Sequence, residues 1–107
     1  MTAPAFTVVE VMERHPILLG NLPEVRLGLL PVRWLPLLDK ALTDIEALVP
    51  ARDLLEQVVI EDVFEKYGTL RIEAWSGPSA PRRQELQEAI DRIAVATEDA
   101  SESAAGT

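Results

Sequence analysis

The run Val63-Phe64-Glu65-Lys66-Tyr67-Gly68-Thr69-Leu70-Arg71, continuing into Ile72-Glu73-Ala74-Trp75, constrains this chain more than any other segment. β-Branched and aromatic residues at Val58, Val59, Ile60, Val63, Phe64, Ile72 and Trp75 suit strands, and Gly68 between them takes positive φ without steric cost. The pattern predicts an antiparallel β-hairpin whose tip carries charge and an aromatic ring. Such a hairpin is marginal in water by itself, so helices are expected to cover one face.

The rest of the chain supplies them. Trp34, Leu38, Ala41, Ile45 and Leu48 recur at alternating spacings of four and three, which predicts a helix over Arg33 to Val49 with Pro36 in its first turn and Pro50 as its stop. Asp39, Lys40, Asp44 and Glu46 would form much of its wet face. Leu86, Ala89, Ile90, Ile93 and Thr97 give a last helix its apolar side, with Ser79 as its N-cap and Pro81 in its first turn. Phe6 to Arg14 reads as a short first helix ended by His15-Pro16. Between it and Pro31 the chain is irregular but too apolar to stay in water, so residues 17 to 32 should pack down and supply any third strand. The expected architecture is α+β, two or three helices on one face of a small antiparallel hairpin. A single domain spans residues 1–97, and a flexible acidic tail spans 98–107. Trp34, Leu38, Ile45, Phe64 and Ile90 are the expected core anchors.

Composition removes whole classes of chemistry. At 107 residues the chain is too small for a core plus a deep, separately walled cleft, so binding on a surface is the default. There is no cysteine, hence no disulfide, thiol nucleophile or thiolate metal site. A net charge of −8 repels phosphate and argues against direct nucleic-acid binding; it suits a basic partner, or solubility alone. Ile17 to Leu38 is the most apolar region, yet prolines, glycines and charges break it well short of the roughly 20 apolar residues a membrane helix requires. The N-terminal residues lead us to expect no signal peptide, and the expected location is the cytoplasm.

Candidate chemistry is sparse. His15 is the only histidine and sits beside a proline, with no G-x-S-x-G elbow to go with it. Glu61 and Asp62 are adjacent and so point to opposite faces of a strand, a poor arrangement for sharing one metal or substrate. The glycines form no phosphate-binding loop. No catalytic residue, cofactor or metal is expected. Trp34 and Trp75 are read mainly as core residues. Lys66, Tyr67 and Arg71 interrupt an acidic body and are the candidate partner-binding residues, unless Glu65 and Glu73 neutralise them across the strands.

The hairpin run resembles the V-K-E-K-F-G-G-L-R hairpin of a family of small, functionally uncharacterised proteins of phages, prophages and bacterial genomes. Arg14-His15-Pro16-Ile17-Leu18-Leu19-Gly20 resembles that family's proline-containing apolar segment, and Arg33-Trp34-Leu35-Pro36-Leu37-Leu38-Asp39 its G-W-x-x-L-(L/I) helix. Many relatives carry a cysteine beside the tryptophan and a C-x-x-C near the end, both missing here, so no metal role carries over. Thr69 stands for the second glycine of the turn, and Ile72-Glu73 for an aromatic pair.

Together these features lead us to expect a non-enzymatic accessory protein of phage or prophage type. It would bind another protein in the host cytoplasm, including by blocking a host defence or regulatory complex. A self-associating virion or assembly component is the first alternative. A small hydrolase built on His15, Glu61 and Asp62 is the last.

Overall fold

The computed structural model describes residues 7–20, 22–49, 55–77 and 83–105. Ser79 and Pro81, expected to start the last helix, lie outside them. The described residues form helices α1 (Val8–Arg14), α2 (Glu24–Gly28), α3 (Leu35–Leu48) and α4 (Arg83–Ala105), a 3-10 turn at Val32–Trp34, and strands β1 (Val58–Lys66) and β2 (Thr69–Ser76). The strands pair antiparallel, α4 lies along β2, α3 packs on α4, α1 touches α2 and α3, and α2 reaches β1. The fold is α+β.

Local chemistry explains each boundary. Thr7 caps α1 by accepting the Glu10 amide at 3.1 Å, and His15 leaves the helix at φ −130°, ψ 56°, as a residue before proline must. Pro31 precedes the 3-10 turn, and Pro36 occupies the first turn of α3, where no amide donor is needed. Residues 17 to 32 do not add a third strand. Pro23 opens α2 instead, and Leu18, Leu19, Leu22, Leu27 and Leu30 are buried in the core.

The sheet's register decides which side chains enter the core. β1 carries a bulge between Ile60 and Asp62, so Val58, Ile60 and Val63 all face inward, opposite Ser76, Ala74 and Ile72. Trp34, Leu38, Ile45 and Ile90 are buried with them, as the helical spacings predict. Phe64 is not. The extra residue at Glu61 turns it to the outer face, half-buried opposite Arg71. Trp75, on that face too, is 51% exposed and not a core residue.

The last helix does not end at residue 97. It continues to Ala105 through the segment expected to form a tail, because its buried stripe goes on in hydroxyl residues: Thr97 and Ser101 extend the line of Ile90 and Ile93. Their hydroxyls donate back to the Ile93 and Glu98 carbonyls at 2.8 and 2.7 Å, which hides them from a purely apolar periodicity. Gly77, just after β2, passes so close to Gln57 that a Cβ there would meet its carbonyl oxygen at 2.6 Å.

Candidate interaction surface

The hairpin closes through a two-residue turn, since Lys66 and Thr69 pair directly across it. Tyr67 and Gly68 both take positive φ, 55° and 77°, the geometry of the turns whose twist matches the strands they join. Glycine adopts it freely and asparagine nearly so, whereas a left-handed tyrosine costs about 1 to 2 kcal/mol. Two bonds hold the turn: Glu65 Oε2 accepts the Gly68 amide at 3.0 Å, and Thr69 Oγ1 donates to the Lys66 carbonyl at 2.7 Å. The strained side chain packs into nothing. Tyr67 is 85% exposed, and Lys66 Nζ lies 5.5 Å from its ring centroid.

Arg71, grouped with these two by sequence, stands apart from them. Its Nη1 pairs with Glu98 of α4 at 2.9 Å and its Nε donates to Thr69 Oγ1 at 3.0 Å, so it ties the hairpin to α4. The neutralising partner is thus a helix residue, in place of the strand glutamates Glu65 and Glu73. The patch the fold assembles at the tip is Lys66 with Tyr67.

His15, Glu61 and Asp62 are held in three separate contacts. His15 is 2% exposed and clamped against α3, its Nε2 2.8 Å from Asp39 Oδ1. Its Nδ1 lies 3.0 Å from Glu46 Oε1, close enough for ion pairing but outside hydrogen-bond geometry. Arg14 Nε also approaches Asp39 Oδ1, at 3.1 Å, so Asp39 is a buried partner and not part of a wet face. Glu61 accepts the Trp75 indole N–H. Asp62 accepts two bonds from the Arg26 guanidinium, one of them from Nε at 3.2 Å. Among the described residues no cluster of three or more His, Cys, Asp or Glu is arranged to hold a metal, and no helix is long and apolar enough to cross a membrane.

The apolar region from Ile17 to Leu38 divides in two. Leu27, Leu30, Trp34 and Leu35 are buried, whereas Val25, Leu29 and Val32, at spacings of four and three, are exposed on the opposite side. A shallow hollow of about 430 Å³ lies beside Val25 and Leu29 against Val8 of α1. Sequence reading missed Trp75 as a surface residue, although it stands in phase with Arg71 and Glu73 and out of phase with Ile72 and Ala74. It also missed Gln87. Its side-chain oxygen accepts the Ser76 amide at 2.8 Å and its nitrogen donates to the Ala74 carbonyl at 3.1 Å, so one carboxamide pairs with the free edge of β2 as a neighbouring strand would.

No protein-family model matches the chain, and neither the curated proteins nor the solved structures give a match.

Proposed function

We propose that this is a non-enzymatic accessory protein of phage or prophage type that works in the host cytoplasm by binding another protein, with Tyr67 and Lys66 at the hairpin tip making the central contact. One observation carries the reading: a tyrosine occupies a left-handed turn position at energetic cost and leaves its ring in solvent. Packing does not repay that cost, and tyrosine beside a cation is the kind of side-chain pair that anchors protein interfaces. The resemblance of the hairpin and tryptophan-helix segments to phage and prophage proteins supports the biological setting, and blocking a host defence or regulatory complex falls within it. Affinity capture from host lysate with wild-type, Lys66→Glu and Tyr67→Ala chains tests the reading. A protein held by the wild type and released by both variants is expected; equal capture by all three contradicts it.

A second reading, self-association as a virion or assembly component, rests on the exposed line of Val25, Leu29 and Val32. Light scattering at micromolar concentration decides it: a monodisperse monomer removes it, whereas a stable multimer broken by Leu29→Glu supports it.

A further inference from the structure

We propose that the groove between β2 and α4 beside Trp75 receives an arginine side chain from a basic segment of a partner protein. The guanidinium would lie on the indole face and share its N–H donors between Glu73 and Asp91. This site is additional to the hairpin tip. Trp75 lies six residues along β2 from Thr69, the first residue after the turn, about 20 Å at the ordinary strand rise, and the proposal stands whether or not the tip binds anything.

The groove has a volume of about 370 Å³; Ile72, Ala74, Ile90 and Ala94 give its apolar lining, and Trp75, Glu73 and Asp91 complete it. Its indole is fixed in place because the ring N–H is held by Glu61. A pre-positioned aromatic face loses little freedom on binding. The charges around it find no counter-charge among the described residues. Glu61 takes a neutral indole donor, Asp91 takes the neutral Gln87 amide at 2.9 Å, and among the described residues none of Glu61, Glu73 and Asp91 pairs with a cation. Three carboxylates about a half-exposed tryptophan, on a chain of net charge −8, call for a cation that also covers the ring. Phosphate ligands are repelled. Arginine fits better than lysine, because a planar guanidinium stacks on an indole while its edge donors reach two carboxylates, whereas an ammonium is a strongly hydrated point charge.

The test uses hexa-arginine and hexa-lysine peptides with the full-length chain at low salt. Binding is followed by NMR at the two indole N–H resonances, one from buried Trp34 and one from Trp75. Hexa-arginine is expected to shift the Trp75 resonance and leave that of Trp34 in place, with hexa-lysine binding more weakly. Glu73→Gln/Asp91→Asn and Trp75→Ala should each weaken hexa-arginine binding roughly tenfold or more. Glu13→Gln/Glu102→Gln removes the same amount of charge elsewhere and should bind within about twofold of wild type. Because Asp91 also contacts Gln87, Glu73→Gln alone serves as a variant that leaves the β2 edge untouched. Equal weakening in the two charge-matched double variants, an unmoved Trp75 resonance, or full binding by Trp75→Ala overturns the proposal. A failure of the tip reading would leave all these results unchanged.

Discussion

The hydroxyl of Ser101, fully buried on α4, accepts the backbone amide of Leu70 at 2.7 Å, thirty-one residues earlier in the chain. This bond makes the C-terminal turns of α4 part of the fold. Ser101→Ala strands a buried N–H, and the cost of an unsatisfied buried donor is about 1 to 3 kcal/mol. Urea unfolding should show that drop in stability. Truncation after residue 97 should destabilise at least as much, since it also removes Glu98 from Arg71.

Gln87 guards the same strand further along. Replacing it with alanine leaves the Ser76 amide and the Ala74 carbonyl without their helix partner and opens the β2 edge. Two consequences are expected: stability falls by about 1 to 3 kcal/mol, and the variant gains concentration-dependent association as the freed edge templates strand pairing. Denaturation and sedimentation measure the two separately. Gln87→Glu should fare no better than Gln87→Ala, because it sets a carboxylate oxygen against both the Ala74 carbonyl and the Asp91 carboxylate.

Neighbours on α3 should behave as opposites. Asp39 meets buried His15 and also Arg14, so Asp39→Ala leaves the buried His15 Nε2 without its partner, at a cost of about 1 to 3 kcal/mol. Lys40 forms only an exposed helix pair with Asp44, and Lys40→Ala should change stability by no more than about 0.5 kcal/mol. Thermal melts of the two variants check the contrast.

Trp34 and Phe64, both expected as anchors, are separated by the bulge. Trp34→Ala should cost about 3 to 5 kcal/mol, because it empties the centre of the core. Phe64→Ala removes a half-buried ring on the outer face and should cost clearly less. Equal destabilisation in chemical denaturation would mean that the outer face is a second packed layer.

The contrast shows what was legible in the residues. α3 and the hairpin could be read because a 3.6-residue stripe and a strand–glycine–strand pattern are local signals. Strict alternation puts Phe64 inside with Val58 and Ile60, but one unpaired residue at Glu61 reverses the inside–outside phase, and its only mark in the residues is the adjacent polar pair Glu61-Asp62 between Ile60 and Val63. Asp39 was assigned to the wet face because its partner His15 lies 24 residues away, beyond any periodicity. The end of α4 was hidden by a buried stripe continuing in threonine and serine. Tyr67 was singled out at the tip, but the left-handed backbone that makes it informative, and the removal of Arg71 to Glu98, depend on the turn type and on helix docking.

Tyr67→Asn tests the central claim most directly, because it separates stability from recognition at one residue. Asparagine suits the left-handed turn position and the tyrosine ring lies in solvent, so relief of strain should raise stability by about 1 kcal/mol and lift the melting temperature. Melting and partner capture are measured on the same preparation. A more stable chain that no longer holds the partner retained by wild type is the predicted result. A more stable chain that still captures it fully would show that the exposed tyrosine has no part in recognition, and would contradict the account.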